Sequence, residues 1–494
     1  MKKKIFVNIG SSVLMQTFQI IVNIILPPLI IYTFGSEVNG LSSSIKQLLG
    51  YVSIIGLGIS SVSTQALYKP FLDKDENEIN AILNSTNKMF TRAGFIYSLI
   101  LIIVAFIYPL LIKTSIEYMD ILLVIIAIGL SGVSEFFVVG KYRSLLYADQ
   151  KVFIYNLIQT IGLVLSFLIA YTLIKLNQNI VIVQLGISTI YIFRVILIKY
   201  YVNKKYKFLD NKVKNNDIAL NKKNDALIHQ LSGLAVGSTQ VIFLSFFLGL
   251  NYSSIYSVYN IVFSGFFSIL SLSINSISPF IGRTYASNDL SKSIYEYNNY
   301  EKVFTIIITF IYSMCGALIY SFISIYTQNA DIIYQDYLLS ILFVLVGIFN
   351  TIRLPGQMLI NVAGHYKETK NRAIIEGIIC VTLQLVLIPL FGIYGCLIAT
   401  LCSSIWRAFD IMIYARKLLK QNIINVFKYV LSTLSIIIIV YLLNREYNNS
   451  PVGNFYEWII SAIKCCLITA PFVLCQFILF YFNKFKKITL KKHI

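Results

Sequence analysis

The chain has 494 residues, of which 57% are hydrophobic and only 13% are charged, and its mean hydropathy is +0.73. Soluble domains contain about 45–50% apolar and about 25% charged residues, so this composition excludes a soluble fold of such length. The net charge of +19 lies mostly in short loops between apolar segments. That distribution is typical of membrane orientation signals and argues against a nucleic-acid partner.

Fourteen apolar segments follow one another along the chain, each long enough for a helix to cross a hydrocarbon core of about 30 Å. The first begins after Lys2-Lys3-Lys4 and contains Pro27-Pro28 without a small-residue cleavage site, so it is predicted as a transmembrane helix and not a signal peptide. The sequence therefore predicts an all-α polytopic membrane protein. The segments lie at roughly 8–33, 41–67, 92–112, 119–140, 152–174, 180–200, 230–250, 253–281, 303–326, 336–362, 373–391, 394–414, 427–443 and 457–482.

The basic residues are distributed unequally between alternate loops. With a cytoplasmic N-terminus, the inner loops and termini carry 33 of the 41 Lys and Arg residues, and the outer loops carry only Lys113, Lys175 and Arg445. Such a bias predicts that both termini are cytoplasmic and that the number of helices is even.

An internal repeat suggests two lobes. Residues 34–69 align with residues 248–283 at an offset of 214, and Phe193-Arg194 matches Trp406-Arg407 at an offset of 213. Ala148-Asp149-Gln150 matches Ala363-Gly364-His365 at an offset of 215. An even number of helices per repeat keeps the orientation, so two parallel six-helix lobes are predicted.

The repeat divides the chain into four predicted regions. Residues 1–200 form an N-lobe with helices 1–6, and residues 230–420 form a C-lobe with helices 7–12. Between them, residues 201–229 are predicted as a cytoplasmic linker, solvated and held near anionic headgroups. Residues 421–494 add two helices and a basic C-terminal tail.

Polar side chains form stripes on the opening helices of each lobe. Helix 1 places Ser12, Gln16, Gln19 and Asn23 within about 60° of one another on a helical wheel. Helices 2 and 8 carry similar stripes, and helix 7 is less clear. Small and hydroxylated residues in such stripes also suit helix packing, whereas the bulkier amides favour a wet cavity. The amides predicted to line it are Gln16, Gln19, Asn23, Gln240, Asn260 and Asn275.

Four cations within apolar segments are candidates for an anion-binding role, because burying a charge on a membrane helix costs about 2.5–3.5 kcal/mol. They are Lys46, Arg194, Arg353 and Arg407. Lys46 lies on the polar face of helix 2, with outward snorkelling as the alternative. Arg353 precedes Pro355, which is expected to break its helix. For Arg194 and Arg407, snorkelling or pairing is favoured over anion binding, and Asp410 lies three residues after Arg407.

The acidic residues argue against a cation-coupled exporter. Glu135 and Glu376 lie near the predicted cytoplasmic boundary, where we expect them to be solvated. A cavity that is cationic and hydroxylic favours an anionic, sugar-bearing cargo over a cationic drug. The seven cysteines fall in apolar segments, where we expect buried, reduced thiols, and the three histidines are scattered, so we expect no metal, no cofactor and no catalytic residue.

Two stretches carry a family resemblance. The first is Arg353-Leu-Pro-Gly-Gln-Met-Leu-Ile-Asn-Val-Ala-Gly-His-Tyr-Lys-Glu-Thr-Lys-Asn-Arg372, and the second is Pro389-Leu-Phe-Gly-Ile-Tyr-Gly395. With Phe34-Gly35 and Gly40-Leu41, they make the chain similar over nearly its whole length to the Wzx-type polysaccharide flippases. These belong to the multidrug/oligosaccharidyl-lipid/polysaccharide (MOP) superfamily, so the resemblance implies a MOP fold.

The resemblance also implies a function in a bacterial plasma membrane. It implies that undecaprenyl-diphosphate-linked oligosaccharide moves from the inner to the outer leaflet by alternating access, with Lys46 and Arg353 available to the diphosphate. Partners implied are this lipid-linked oligosaccharide, the bilayer, and the glycan polymerase and glycosyltransferases of the same pathway.

Three alternatives remain open at the level of the sequence. A cation-coupled multidrug antiporter of the MATE type would share the fold, but it would need a carboxylate deep within a lobe. A lipid II flippase would share the fourteen helices, but it usually has more arginines in helices 1 and 2. A polytopic glycan polymerase or ligase would need a sizeable outer loop, whereas the outer loops here have about 15 residues at most.

Overall fold

A computed structural model describes residues 2–210, 212–216, 237–287, 289–444 and 453–492 of the chain. Helices occupy most of these residues. In chain order they are α1 Lys2–Phe34, α2 Ser36–Asp73, α3 Glu76–Leu111, α4 Tyr118–Ser134, α5 Gly140–Ala148, α6 Val152–Lys175, α7 Ile180–Lys205, α8 Thr239–Phe247, α9 Leu250–Ala286, α10 Leu290–Tyr326, α11 Tyr337–Ile352, α12 Leu354–Val362, α13 Tyr366–Leu418, α14 Ile424–Leu443 and α15 Phe455–Lys492. A π-helical turn, Glu135–Val139, joins α4 to α5.

Within the described residues, twelve helical stretches are long and apolar enough to cross a membrane. One of them, Glu368–Leu418, contains the non-helical residue Gly392 (φ 60°, ψ −139°), so α13 is two helices joined at a sharp turn. The predicted seventh segment, 230–250, is described only from residue 237, where it contributes α8. The chain is thus an all-α, multi-pass membrane protein, and the prediction of about fourteen helices is confirmed.

Helices suit this environment because they satisfy their own backbone hydrogen bonds where no water is present. Side chains complete several helix starts: the carboxylates of Asp75, Asp289 and Asp336 each accept a hydrogen bond from the backbone N–H three residues later. Proline has the opposite effect at the predicted break, where α11 ends at Ile352 and α12 restarts with Pro355 in its first turn.

The described chain separates into two compact units. The first comprises Met1–Ser257 with Ala330–Ile332, and the second comprises Val258–Asn329 with Ile333–Ile494. In the first unit, α3 packs against α4 and the π-helical turn through the buried rings of Phe90, Tyr97 and Phe136. In the second unit, α9 packs against α11 through stacked rings, such as Tyr259 on Phe343 with centroids 5.0 Å apart.

Left-handed backbone positions recur at the spacing of the sequence repeat. Gly35 and Gly249 (φ 88° and 100°) precede α2 and α9 and are 214 residues apart. Gln150 and Gly364 also lie 214 apart, and Asn177 and Gly392 lie 215 apart. Matching turns at matching intervals mean that the duplication seen in the sequence extends to the local backbone structure of both halves.

The start of the predicted linker is held against α3 by hydrogen bonds to its backbone. The amide of Asn80 in α3 donates a hydrogen bond to the Phe208 carbonyl (2.9 Å) and accepts one from the Asp210 N–H (3.0 Å). Asn84 donates to the Asp210 and Val213 carbonyls. Asparagines on α3 thus bind the backbone of this part of the predicted linker, while Lys207, Lys212 and Lys214 are exposed, so the expectation of a solvated tether stays a prediction. Residues 217–229 of the predicted linker lie outside the described residues.

Tyr206, just after α7, fixes the same region. Its hydroxyl donates to Asp149 Oδ2 (2.6 Å), and Lys151 Nζ lies 2.5 Å from the same oxygen. Burial, together with the hydrogen bond to Asp149, raises the pKa of Tyr206, so the phenol stays protonated and remains a donor.

Cysteine burial differs from the prediction at three positions. Cys315, Cys380, Cys396 and Cys465 are buried, but Cys466 is half-buried, and Cys402 and Cys475 are exposed on their helices. An apolar segment of a membrane helix has a face that packs on protein and a face that does not, so apolar surroundings in the sequence do not imply burial.

Candidate functional site

The predicted polar stripe of α1 divides into a packed end and an open end. The hydroxyl of Ser12 accepts a hydrogen bond from Asn156 of α6 (2.9 Å), so this residue is part of the α1–α6 contact. Gln16 and Gln19 are half-buried and Asn23 is exposed. Gln19 Nε2 donates to Asn23 Oδ1 (3.3 Å) one turn later. The three amides therefore lie on one face of α1, at its less buried end.

The two predicted cations of the first unit lie in different surroundings. Lys46 is exposed on α2. Arg194 of α7 is buried, with 6% of its surface exposed, and its Nη1 donates to Gln159 Oε1 of α6 (2.8 Å). Of snorkelling and pairing, the structure shows pairing for Arg194, and the partner, Gln159, is uncharged.

A polar contact at the start of α2 was not predicted from the sequence. Asn39 Nδ2 donates to Ser254 Oγ of α9 (2.7 Å), and the Ser36 N–H donates to Asp331 Oδ1 (3.0 Å). Gly40 lies so close to α9 that a Cβ atom there would be 1.9 Å from the Leu250 carbonyl oxygen. The repeated Ser- and Gly-rich pattern of this region was the available signal, but it did not identify the partners.

The second unit contains an arginine–carboxylate cluster, defined by Arg353, Arg372, Glu376, Arg407 and Asp410. Arg353 Nη1 lies 2.5 Å from Glu376 Oε1, and Arg407 Nε lies 3.2 Å from Glu376 Oε2. Arg407 Nη1 lies 2.7 Å from Asp410 Oδ2, which confirms the predicted pair, and Arg372 binds the other oxygen of Asp410. The structure thus brings together Arg353 and Arg407, two residues predicted separately.

The expectation that Glu376 is solvated is wrong. Only 6% of the residue is exposed, because the α11–α12 break places Arg353 against the first half of α13 while the second half folds back and supplies Arg407. Three arginines and two carboxylates leave the cluster with a net charge of +1. Arg372 is its most exposed member, with 40% of its side chain accessible.

The remaining predicted site residues are spread over α8 and α9. Gln240 is buried in α8, where 1% of its surface is exposed, and Asn260 in α9 is half-buried. The side chain of Asn275 lies outside the described part of the structure. These amides, like those of α1, can donate to and accept from sugar hydroxyls.

Solved structures share this fold, although no family model matches the chain and no curated protein matches its sequence. An inward-facing multidrug resistance MATE family transporter of the MOP superfamily aligns with a TM-score of 0.68 and 12% identity, over 82% of this chain and 94% of the other. The lipid II flippase MurJ, in an inward closed conformation, aligns with a TM-score of 0.67 and 16% identity, over 97% and 100%. A MATE transporter from Vibrio cholerae aligns with a TM-score of 0.56 and 12% identity, over 85% and 97%. The chain therefore has the membrane-spanning helical fold that MATE transporters and MurJ share.

Proposed function

We propose that this protein is a flippase for lipid-linked oligosaccharides. Its cargo would be an undecaprenyl-diphosphate-linked glycan repeat unit, moved from the inner to the outer leaflet of a bacterial plasma membrane by alternating access. The observation that carries the proposal is the pairing of four carboxylates that lie in or next to the apolar segments. Glu135, Glu301, Glu376 and Asp410 are each ion-paired with arginine.

Ion pairing of this kind favours an anionic cargo. A carboxylate that already neutralises an arginine is a poor ligand for a proton or a metal cation, because the arginine stabilises its charged form. A diphosphate, by contrast, needs fixed positive partners in a medium of low dielectric constant. The arginine–carboxylate cluster keeps a net positive charge, so it attracts an anion even when its internal pairs are formed.

The proposed diphosphate ligands are Lys46 and Arg353, with Arg407 as an additional cation; Arg194, which is buried against Gln159, is not assigned to the diphosphate. Lys46 is exposed and can bind directly. Arg353 is held by Glu376 at 2.5 Å, so the diphosphate would compete with that carboxylate for the guanidinium. The sugar would bind the amides of Gln16, Gln19, Asn23, Gln240, Asn260 and Asn275. MurJ is a lipid II flippase of the same fold, and its cargo is also a lipid-linked molecule, which supports this assignment.

A cation-coupled multidrug antiporter is the second candidate. The likeness to a multidrug resistance MATE transporter is as strong as the likeness to MurJ, with TM-scores of 0.68 and 0.67. The ion-paired carboxylates are the reason for placing it second. The two candidates differ in cargo, so drug efflux and glycan export separate them.

Replacement of Lys46 or Arg353 by glutamine tests the flippase proposal in a flippase-null strain that depends on this protein for glycan export. Each variant should lower export at least about tenfold, since a charge-assisted hydrogen bond contributes about 1.5–3 kcal/mol. Lys113→Gln, which removes an exposed cation from the loop after α3, is the matched control and should export normally. Membrane levels of each variant are compared by immunoblot.

Two results would contradict the proposal. Near-normal export by both variants would show that Lys46 and Arg353 do not bind the diphosphate. Depletion of the protein should make lipid-linked glycan accumulate on the inner leaflet. Accumulation on the outer leaflet would instead indicate a polymerase or ligase, and unchanged glycan with lost drug resistance would indicate the antiporter.

A further inference from the structure

The first unit contains a partly open cavity of about 240 Å³ that the proposed function does not use. It lies where α2, the π-helical turn after α4, α6 and α7 meet. Most of its lining residues have polar side chains, and they include two arginines and one glutamate. The lining residues are Ser53, Ser131, Gly132, Ser134, Glu135, Val139, Arg143, Tyr155, Gln159, Tyr191 and Arg194.

Arg194 is the unusual member of this lining. It is 6% exposed, and Nη1 donates to Gln159 Oε1 (2.8 Å), but Nε and Nη2 have no hydrogen-bond partner among the described residues. Its guanidinium lies over the ring of Tyr191, 4.5 Å from the centroid. Buried donors of a charged group are costly to leave without partners. The Nε and Nη2 hydrogens lie on one edge of a guanidinium, the edge that binds two oxygens of an oxyanion at once.

The backbone of α6 makes room for this guanidinium. A Cβ atom at Gly162 would lie 1.8 Å from Arg194 Nε and 2.7 Å from its Cδ. Any other residue at this position would displace the side chain. The arginine is therefore held in place by a close helix contact and does not snorkel to a membrane surface.

The other charges of the cavity nearly cancel each other. Arg143 Nη1 lies 2.6 Å from Glu135 Oε1, and Arg143 Nε donates to Ser60 Oγ (3.2 Å). With Arg194 added, the lining has a net charge of +1. The cavity as a whole therefore favours a ligand that carries negative charge.

The lining also supplies neutral donors besides the arginines. The hydroxyls of Ser131 and Ser134 are not among them, because they already donate to carbonyls of their own helix, at 2.8 and 2.7 Å. The Gln159 amide and the phenols of Tyr155 and Tyr191 are further donors on the cavity wall. A ligand with several acceptor oxygens matches this lining better than a monatomic ion, and the volume is ample for one tetrahedral oxyanion.

We propose that this cavity is a binding site for one phosphate-type oxyanion, held on the Nε–Nη2 edge of Arg194 and supported by Gln159. Free phosphate and a phosphate monoester of a lipid headgroup share this chemistry. The site does not depend on the identity of the transported cargo, and its test requires no transport.

The test measures binding of inorganic phosphate to the purified full chain in phosphatidylcholine nanodiscs, by the shift of its melting temperature at constant ionic strength set with chloride. Phosphate should stabilise the protein saturably. Arg194→Gln should raise the apparent Kd at least about tenfold, since hydrogen bonds to a charged group are the strong ones. Arg92→Gln is the matched control: it removes an exposed arginine of the same unit outside the cavity, and the Kd should stay within about twofold.

A second variant changes the affinity in the opposite direction. Glu135→Gln removes the carboxylate from the lining and should lower the Kd for phosphate at least about threefold, because like charges repel strongly at short range in a partly buried site. A generally damaged protein would not bind more tightly. If Arg194→Gln does not fold, the Kd of Glu135→Gln for phosphate tests the proposal instead. An unchanged or higher Kd in Glu135→Gln overturns the proposal.

Two further outcomes would also overturn it: equal stabilisation by chloride, or an unaltered phosphate response in a folded Arg194→Gln protein. The source of the anion is distinguished by adding phosphatidic acid to the nanodiscs. A rightward shift of the phosphate curve assigns the site to a lipid headgroup, and an unshifted curve assigns it to free phosphate.

Discussion

Arg416 shows how a full charge is held inside the second unit. Only 1% of the residue is exposed, and Nη2 binds Glu301 Oε2, while Nη1 donates to Asn298 Oδ1 (2.7 Å) and Gln421 Oε1 (2.5 Å). Desolvating two charges is expensive, and their attraction offsets the cost only when the remaining hydrogen bonds are made. Here α10 supplies Glu301 and Asn298, and the segment after α13 supplies Gln421.

Removing one member of this pair should be strongly destabilising. Glu301→Gln leaves Arg416 charged, buried and without its counter-ion, so we expect a loss of about 3–5 kcal/mol in the free energy of unfolding. Thermal unfolding in detergent measures the effect. Glu296→Gln, on a half-buried position of the same helix, is the control and should cost less than about 1 kcal/mol.

The double variant Glu301→Leu with Arg416→Met separates charge from packing. It should recover most of the stability lost in Glu301→Gln, because an apolar pair of similar volume has no desolvation cost. A double variant as unstable as the single one would show that the pair acts through packing.

Two glycines of α2 differ in how closely other atoms approach them. A Cβ atom at Gly40 would lie 1.9 Å from the Leu250 carbonyl oxygen, a backbone atom that cannot rotate away. At Gly50, three turns further along, nothing lies within 4 Å of the corresponding position. The two glycines look alike in the sequence, yet they have different structural roles.

Alanine at the two positions should therefore have opposite effects. Gly40→Ala must move α2 away from α9 and stretch the Asn39–Ser254 hydrogen bond, so we expect a loss of more than about 2 kcal/mol. Gly50→Ala should be neutral or gain up to about 1 kcal/mol, since alanine is the better helix former. The melting temperatures of the two variants in the same detergent measure these effects. Equal destabilisation would mean that Gly50 too is closely packed.

For several helices, the sequence pattern was sufficient to predict where they begin or end. The segment boundaries and the break before Pro355 follow from local composition, and both are present in the structure. The turn at Gly392 was predicted as a boundary between two segments, and its left-handed backbone now explains it. The hydrogen bonds that tie Phe208 and Asp210 to α3 were not predicted, because nothing local distinguishes Asn80 and Asn84 from other helix-surface amides.

The two halves of the chain repeat the same pattern of left-handed turns at intervals of 214 or 215 residues. Each interval contains an even number of membrane crossings in the predicted topology, so both halves would have the same orientation. The bias of basic residues towards alternate loops then predicts which side of the membrane each loop faces.

Cysteine labelling tests this orientation in intact cells. In a cysteine-free background, Lys113→Cys should react with a membrane-impermeant maleimide from outside, because the loop after α3 is predicted to be external. Lys212→Cys, which removes the same charge from an exposed position after α7, should react only after the membrane is permeabilised. The reverse labelling pattern would invert the topology.

The sequence by itself determined the class of protein, the approximate number of helices and the duplication. Each of these depends on local properties: a membrane helix satisfies its own hydrogen bonds, so length and apolarity are enough to predict it. The tertiary structure alone decided which charged groups meet. Glu376 joins Arg353 to Arg407, and Gly162 accommodates Arg194, across separations that only helix packing brings together. A buried charge is stabilised by whichever neighbours the packed helices place beside it, and that choice is not encoded in the spacing of residues along the chain.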